Sequence, residues 1–461
     1  MNNDIFQGYK GDALKVLQKY KVRVWGTATI DTTRGVFEGT VLPRAENDDD
    51  QHIVIKISTG YNIGIDVTTI NTMKETGYKK ANYKIPEKEF PITPGLPKVK
   101  LFGTGGTIAS RLDYRTGAVI PAFSPGELYG AVPELADICN LETEKVFAVF
   151  SENMGGKQYV SLAKAIGKEI EKGVDGIVIG HGTDTLHHTG AALTFMCQNL
   201  PVPVVLVGSQ RSSDRPSSDA ALNLMHAMKA AGHSDIAEVM VCMFGPTSDE
   251  YGLLHKGTRV RKMHSSYRST FRTIGDTPLA MISRKEIIPI KKNYNHRRND
   301  KKVKILPYFS DEVTMLYYSP GMKPDVLDAM VDAGYKGIIF VGTGLGHVNK
   351  ELYPAIERAH AKGVHMFMTL QTIWGYVQMF VYDTGRDMMA KGIIPTGNML
   401  PEVAWVKLSW ILGQTNDPEE VKKMMLTPVN DEITLREPYN GYLVYQGGVP
   451  EVEAFIKKVH K

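Results

Sequence analysis

Polar side chains follow several apolar runs of the sequence, where each predicted strand ends. Thr107 follows KVKLF within GTGGTIAS, and Ser151 and Glu152 follow KVFAVF. Thr183 and Asp184 follow DGIVIG within HGTDT. In a parallel α/β sheet, functional residues gather in the loops at the carboxyl ends of the strands. The sequence therefore predicts one polar site at this edge of a sheet.

The threonines could act as nucleophiles. A threonine hydroxyl attacks poorly until a neighbouring base takes its proton, and Asp184, next to Thr183, is a candidate base or orienting group. Two glycines precede Thr107 and would let the backbone turn sharply to present its hydroxyl. Simpler interpretations stay open beside this one. Thr107 could be a turn residue, and Thr183 could be a helix N-cap, since TDTLHH opens a predicted helix.

Two other kinds of site are disfavoured by residue spacing. A dinucleotide-binding fingerprint would need glycine or alanine at Ile108, and GxxxxGK[ST] occurs nowhere in the chain. His181, His187 and His188 lie near one helix start, but neither HExxH nor regular Cys/His spacing accompanies them. We therefore expect no phosphate-binding loop and no metal site, with His181 helping to shape the polar site.

The elements that must position these residues fall into several regions. In HIVIKIS the isoleucines alternate with polar residues, as in a strand, and similar segments over residues 1–90 predict a small β-barrel. The proline-rich stretch KIPEKEFPITPGLPK predicts a linker. Short apolar runs then alternate with helical segments over 96–290 and again over 305–428, which predicts two parallel-sheet α/β domains. A tail covers 429–461.

Composition is that of an ordinary globular protein. The 461 residues include 43% hydrophobic and 23% charged residues, with a net charge of +4. We expect no membrane span, because no apolar run reaches the length that a bilayer requires. The N-terminus lacks the apolar core of a secretory signal, and the three cysteines form no CxxC pair. These features predict a cytoplasmic location.

The paired motifs GTGGTIAS and HGTDT resemble the signature of the asparaginase/glutaminase family, which takes one threonine from each. Longer stretches, such as LPRAENDDDQHIVIKISTGYNIGI and VYDTGRDMMAKGIIPTGNMLPEVAWVKLSWILGQTNDPEEV, are similar to the branch formed by the D subunits of archaeal glutamyl-tRNA(Gln) amidotransferases. The likeness runs from about residue 11 to residue 425. It implies two asparaginase-like α/β domains behind a small N-terminal β-barrel.

The resemblance also implies roles for individual residues. Lys262, in RVRKMHSSYR, would complete a Thr–Lys–Asp triad with Thr183 and Asp184, although by charge pattern alone it would be a surface lysine. Tyr114 matches a mobile-loop tyrosine beside Thr107. Three further residues match the part of the family's site that binds the amino-acid end of the substrate: Ser151, Glu152 and Gly106.

The chain departs from bacterial asparaginases at two places. It carries no glutamate at 385–387, where they have one donated by a neighbouring protomer, and His347 stands where they often have asparagine. Both features fit the D-subunit pattern.

The implied function is hydrolysis of glutamine to release ammonia, which a partner, the E subunit, uses to amidate glutamate on tRNA(Gln). No cofactor is expected in this chain, because ATP and magnesium would serve the partner. A homodimer within a heterotetramer is implied. One alternative is a free-standing asparaginase or glutaminase that acts on either amide. An alternative of another class is a tRNA-binding scaffold with a vestigial site, suggested by the basic segment 291–304.

Overall fold

The N-terminal region folds as a small antiparallel sheet with one helix. The computed structural model describes residues 5–45, 48–78, 91–105, 110–112, 119–121, 132–211, 217–439 and 442, with the backbone alone for 110–112 and 119–121. The five-stranded sheet has the order β4-β3-β2-β1-β5. Its elements are α1 (Gly11–Tyr20), β1 (Gly26–Thr32), β2 (Gly35–Val41), β3 (His52–Lys56), β4 (Asn62–Asp66) and β5 (Ile70–Tyr78).

Alternation of side chains explains how this sheet builds a core. Ile53 and Ile55 of β3 are fully buried, whereas their neighbours along the strand are only partly covered. They pack with Leu17 of α1 and Ile30 of β1. The predicted barrel thus takes the form of an antiparallel sheet with β4 and β5 at its edges, with α1 contributing to its core.

The next sheet has eight strands in the order β18-β17-β14-β13-β12-β10-β6-β9. Its strands are β6 (Lys98–Gly103), β9 (Asn140–Lys145), β10 (Gly176–Gly180), β12 (Val204–Val207), β13 (Val239–Phe244), β14 (Gly252–Lys256), β17 (Ala280–Ile282) and β18 (Ile287–Pro289). Smaller pairs are formed by β7 (Ser110–Leu112) with β8 (Val119–Pro121), and by β15 (Val260–Lys262) with β16 (Phe271–Thr273).

Helices cover both faces of this sheet. Ile177 and Ile179 of β10 face the core formed with α2 (Gly156–Glu171) and α3 (Leu186–Met196). Val178 faces the opposite core, formed with α4 (Ala220–His233). The nearly continuous apolar sequence of the central strands follows from burial on both faces.

The predicted parallel sheet is confirmed for the strands from β9 to β13, and three antiparallel strands extend it. The pairs from β9 to β13 are parallel, but β14, β17 and β18 extend the sheet in antiparallel fashion. The connection 245–251 between β13 and β14 is too short for the crossover that a parallel neighbour requires.

One strand prediction was wrong. The apolar run KVFAVF was expected to be a strand, but β9 is the preceding polar segment NLETEK. Strand β9 lies at the sheet edge, where much of its surface stays exposed, so hydrogen bonds to β6 rather than apolar periodicity define it. Ser151 therefore begins a single-turn 3₁₀-helix, Ser151–Asn153, beyond a short irregular connection.

The C-terminal domain contains a four-stranded parallel sheet in the order β20-β21-β22-β23. Before it, β11 (Cys197–Gln198) pairs with β19 (Lys304–Ile305). The strands of the four-stranded sheet are β20 (Val313–Tyr317), β21 (Gly337–Gly342), β22 (His365–Leu370) and β23 (Ile393–Pro395). Its helices are α5 (Pro324–Asp332), α6 (Tyr353–Ala361), α7 (Asp383–Ala390), α8 (Pro401–Leu412) and α9 (Pro418–Leu426).

Helix α8 joins the two α/β domains. It is buried almost all round, as a helix with apolar residues on every face must be. Its side chains share one core with α3, where the rings of Phe195 and Trp410 stack with centroids 5.8 Å apart. None of the described helices is long and apolar enough to cross a membrane.

Candidate active site

Lys262 connects the two motif residues that follow β10. Its Nζ donates hydrogen bonds to Thr183 Oγ1, at 3.0 Å, and to Asp184 Oδ1, at 2.7 Å. The Lys262 side chain is only 9% exposed and Thr183 is 7% exposed, whereas the Asp184 side chain is 69% exposed. The cluster therefore has a sheltered hydroxyl and amine and a carboxylate that faces solvent.

His181 shapes the loop that carries Thr183. Its Nδ1 lies 2.6 Å from the Gly182 carbonyl oxygen, and its Nε2 lies 2.8 Å from Thr189 Oγ1. Because a carbonyl only accepts, we assign the proton to Nδ1, so that Nε2 accepts from the threonine hydroxyl. Burial lowers the pKa of His181 to about 4, which keeps the ring neutral. The ring thus fixes the backbone immediately before Thr183.

Thr183 is not the N-cap of the following helix. Helix α3 begins at Leu186, so Thr185 occupies the N-cap position, and it makes no side-chain capping bond. Instead, the Thr185 hydroxyl donates to the Ser151 carbonyl oxygen at 2.5 Å. The alternative interpretation of Thr183 as a cap was therefore wrong, and its hydroxyl is left to Lys262.

The loop that carries Thr183 packs closely against the loop after β12 and against Ser151. A Cβ on Gly208, at the end of β12, would lie 2.8 Å from Thr183 Cγ2. A Cβ on Gly182 would lie 2.8 Å from the Ser151 Cβ. Ser151 is buried against this loop, whereas Glu152, next to it, is exposed. The structure thus brings Ser151 to the Thr183 loop and leaves the Glu152 carboxylate in solvent.

The first threonine motif is described only in part. Thr107, Gly106 and Tyr114 lie outside the described residues. As far as Gly105 the chain lies beside the end of β10, where Thr104 Oγ1 donates to the Gly180 carbonyl oxygen at 2.8 Å. Gly105 has a φ of 109°, and a Cβ there would meet the Val149 carbonyl oxygen at 2.4 Å. Glycine is therefore required at this point of the motif.

Asp219 is a structural residue that the sequence did not single out. Its buried carboxylate accepts hydrogen bonds from the backbone N–H groups of Gln210 and Arg211 and from the Asn223 amide. These bonds fix the loop after β12, which contains Gly208. An aspartate just before a helix is a recognisable signal, but it indicates a helix cap rather than a bridge back to the preceding loop.

The histidines near α3 pack against the C-terminal domain. His187 and His188 contact each other, and His188 contacts Trp405 of α8. Within the described parts of the chain, no group of three or more His, Cys, Asp or Glu side chains could hold a metal ion.

The two departures from bacterial asparaginases have structural correlates. A Cβ on Gly385 would lie 2.2 Å from the Met379 carbonyl oxygen, so no side chain fits there without a backbone shift. His347 Nδ1 lies 3.3 Å from Thr384 Oγ1, and its ring contacts Tyr382.

Much of the basic segment 291–304 serves the fold. Lys291 pairs with Asp276 at 2.5 Å and with Asp431 at 2.9 Å. The Arg297 guanidinium donates to backbone carbonyl oxygens of Ser234, Asp175 and Ala231. The pattern that suggested a nucleic-acid surface is therefore explained in part by internal contacts, although Lys292, Lys301, Lys302 and Lys304 are exposed.

Three family descriptions match the chain. Residues 98–295 match "Asparaginase, N-terminal", residues 312–425 match "Glutaminase/Asparaginase C-terminal domain", and residues 23–74 match "GatD N-terminal domain".

Individual relatives agree with these matches. The D subunit of the glutamyl-tRNA(Gln) amidotransferase from Pyrococcus abyssi is 47% identical over 412 residues, which cover 88% of this chain and 93% of the relative. The Methanopyrus kandleri protein of the same name is 45% identical, over 93% of this chain and 95% of the relative. Among solved structures, the L-asparaginase of Thermococcus kodakarensis matches with a TM-score of 0.65 and 32% identity, over 73% of this chain and 99% of that one. L-asparaginase I of Vibrio cholerae matches with a TM-score of 0.65 and 27% identity, over 74% of this chain and 100% of that one.

The resemblance found in the sequence is thereby confirmed: the chain belongs to the asparaginase/glutaminase family and, within it, to the family of glutamyl-tRNA(Gln) amidotransferase D subunits.

Proposed function

We propose that the chain hydrolyses the side-chain amide of glutamine with a threonine nucleophile and releases ammonia for a tRNA-dependent amidotransferase. The observation that carries the proposal is the Lys262 Nζ between Thr183 Oγ1 and Asp184 Oδ1. A weak hydroxyl nucleophile, a base and a group that orients the base are the parts that covalent amide hydrolysis requires.

The chemistry proceeds in two steps. The Lys262 amine accepts the Thr183 proton, and the Asp184 carboxylate stabilises the resulting ammonium. The threonine oxygen bonds to the amide carbon, the carbon–nitrogen bond breaks, and the leaving nitrogen takes the proton that Lys262 had accepted and departs as ammonia. Water then attacks the ester, releases glutamate and restores the hydroxyl.

The remaining predicted residues complete this assignment. Thr107, with Tyr114 beside it, supplies the second threonine hydroxyl, and both are required for turnover. Ser151, Glu152 and Gly106 bind the amino-acid end of glutamine, where the Glu152 carboxylate suits the α-ammonium group. The exposure of Glu152 supports this role, because it leaves the carboxylate free to meet a ligand.

Amide synthesis is assigned to another polypeptide. A carboxylate must be activated before ammonia can attack it, normally by phosphorylation, which needs a phosphate-cradling loop and metal-binding carboxylates. The sequence has no such loop. We therefore assign ATP and magnesium to a partner, the E subunit, which amidates glutamate on tRNA(Gln) in the cytoplasm. The proposed assembly is a homodimer of this chain within a heterotetramer.

The second candidate is a free-standing asparaginase or glutaminase. It is favoured by the likeness to L-asparaginases, whose lengths are covered almost completely. The N-terminal domain and the names of the amidotransferase relatives favour the first candidate. The scaffold alternative is disfavoured because Thr183, Asp184 and Lys262 meet in one cluster while the basic segment is partly used by the fold.

An ammonia-release assay separates these candidates. The full chain would be given glutamine or asparagine, alone and together with the partner and glutamate-charged tRNA. We expect glutamine hydrolysis that rises when partner and tRNA are added, with glutaminyl-tRNA formed only when the partner, ATP and magnesium are present. Hydrolysis of asparagine at full rate by the chain alone would support the free-standing enzyme. Glutaminyl-tRNA made without a second protein would overturn the division of labour.

Lys262→Met tests the proposed base. Because this change removes the proton acceptor, turnover should fall by about 100-fold or more, while glutamine binding, measured calorimetrically, persists. The matched control is Lys229→Met, since Lys229 is a partly buried lysine whose hydrogen bonds within the described residues go to the backbone carbonyls of Ser283 and Arg284. A Lys262→Met protein with normal turnover but weak binding would make Lys262 a substrate contact instead.

A further inference from the structure

Strand β15 presents neighbouring side chains to different parts of the molecule. Lys262, at its end, reaches Thr183 and Asp184. Successive side chains of a strand point to opposite faces, so Arg261 is directed away from the Lys262 side. Arg259 lies in the turn immediately before the strand. Both arginines contact the C-terminal domain. Arg261 reaches Glu402 in the first turn of α8, and Arg259 reaches Asn398, which precedes α8.

Arg261 pairs with a buried carboxylate. Its Nη1 donates to Glu402 Oε2 at 2.7 Å, and the Glu402 side chain is only 6% exposed. Glu402 lies in the first turn of α8, directly after Pro401. Burial raises the pKa of Glu402, and the Arg261 charge opposes that rise. Arg261 is therefore the charged side chain that opposes the effect of burial on this carboxylate.

No other charged group competes with Arg261 for Glu402 in the described residues around it. His187 Nε2 is 4.0 Å from Glu402 Oε1, and burial lowers the pKa of His187 well below its usual value. The neutral ring cannot replace the guanidinium as a counter-charge. The orientation of Glu402 is thus tied to Arg261, and through Arg261 to β15.

Arg259 makes a second set of contacts between this part of the first α/β domain and the C-terminal domain. It is fully buried, and its Nη1 donates to the Asn398 carbonyl oxygen at 2.9 Å while its Nη2 donates to Asn398 Oδ1 at 3.0 Å. Its Nε donates to the Asp431 carbonyl oxygen at 2.7 Å. Strand β15 and the turn before it are therefore held at Glu402 in α8, at Asn398 before α8 and at Asp431 after α9.

Strand β15 needs such support. It spans only Val260–Lys262 and its partner strand is the equally short β16, Phe271–Thr273. A lysine stem has several rotatable bonds, so the backbone must be well fixed for Nζ to stay within hydrogen-bond distance of Thr183. A displacement of about 1 Å in a catalytic group can cost about 100-fold in rate.

We propose that Arg261 and Glu402 are positioning residues that hold Lys262 against Thr183. The C-terminal domain then sets the geometry of the Thr183–Asp184–Lys262 cluster, although among the described residues it contributes no atom to that cluster. The inference rests on the proposed amide hydrolysis. It predicts that loss of this pair slows the chemical step rather than substrate binding, because neither side chain is part of the substrate-binding set.

The test replaces both partners by apolar side chains of similar length, Arg261→Met with Glu402→Met. Replacing a buried ion pair in this way is often neutral for stability, so the melting temperature should stay near that of the wild type. We expect kcat for glutamine to fall by about 10- to 100-fold while KM changes less than about twofold. Glu402→Gln keeps an acceptor oxygen for Arg261 and should retain most of the rate.

The matched control removes an arginine–carboxylate pair that lies within the C-terminal domain, Arg358 with Asp328, whose Nε–Oδ1 distance is 3.0 Å. Arg358→Met with Asp328→Leu should leave kcat and KM unchanged. All variants are assayed as full chains with the partner and charged tRNA, and their folding is checked by circular dichroism.

The outcomes separate this inference from the proposed function. If the wild type releases no ammonia, the proposed function fails. If the wild type is active and the folded Arg261/Glu402 double variant keeps its kcat, the positioning role is overturned. Should the double variant not fold, Arg261→Lys, which keeps a cation but loses the planar guanidinium, must show a lowered kcat at unchanged KM. Normal turnover in Arg261→Lys would then reject the proposal.

Discussion

At the scale of single residues, Thr183 is distinguished by the partner of its hydroxyl. Thr194, on the following helix, is equally buried, but its hydroxyl donates to the Gly190 carbonyl of its own helix at 2.7 Å. Such a bond satisfies the hydroxyl within one turn of the helix, so it needs no partner elsewhere in the chain. The Thr183 hydroxyl instead meets an amine from a distant strand.

Thr183→Val should therefore lower kcat by about 100-fold or more, because the isosteric side chain fills the same space but cannot attack or transfer a proton. Ammonia release from glutamine measures the effect. Thr194→Val is the control and should turn over at the wild-type rate. Equal rates for the two variants would remove Thr183 from the mechanism.

At the scale of elements, the loops that follow β10 and β12 are packed so closely that only glycine fits between them. Gly208 faces both Thr183 Cγ2 and the His181 carbonyl oxygen, each 2.8 Å from where a Cβ would lie. The Asp219 carboxylate holds the other side of this loop through the N–H groups of Gln210 and Arg211. The loop therefore cannot easily yield to an added methyl group.

Gly208→Ala should push Thr183 away from Lys262 and lower kcat by at least about 10-fold, since small displacements of reacting groups are costly. Steady-state kinetics with glutamine, together with circular dichroism, tests this. Gly77→Ala in β5 is the control, because its Cβ would come no closer than 3.9 Å to a neighbouring atom. An active Gly208→Ala enzyme would show that the loop adapts and that its close packing is unimportant.

At the scale of the whole molecule, the segment after α9 ties the two α/β domains together. Asn430 and Asp431 accept hydrogen bonds from Lys256 of the first domain, at 2.7 and 2.8 Å. The next residue, Glu432, pairs with Lys407 of α8 at 2.6 Å, and both side chains are completely buried. The beginning of the predicted tail is thus a structural connection between domains.

Glu432→Gln should lower the free energy of unfolding by about 3–5 kcal/mol, because it leaves the buried Lys407 ammonium without its counter-charge. Burial already lowers the pKa of Lys407, and Glu432 is the group that opposes this shift. Urea unfolding at neutral pH measures the change. Asp332→Asn, which breaks the exposed pair with Lys362, should shift the unfolding midpoint far less. A similar shift in both variants would contradict the importance of the buried pair.

The sequence by itself determined the features that depend on local pattern. The threonine motifs follow apolar runs that the structure shows as β6 and β10, and the alternation in HIVIKIS matches the burial of β3. Where a strand is defined by its neighbour rather than by its own side chains, the prediction was wrong, as for KVFAVF and the polar edge strand β9.

Only the tertiary structure decided which distant side chains meet. Lys262 follows Thr183 by 79 positions, and Glu402 follows Arg261 by 141; within RVRK, nothing local distinguishes the lysine that reaches Thr183 from the arginine that reaches α8. The same holds for the basic segment 291–304, where Lys291 and Arg297 find internal partners while other lysines stay exposed. Periodicity is set by the backbone of a few residues, whereas these partnerships depend on strand order, on the short β13–β14 connection that turns half the sheet antiparallel, and on how α8 packs against α3.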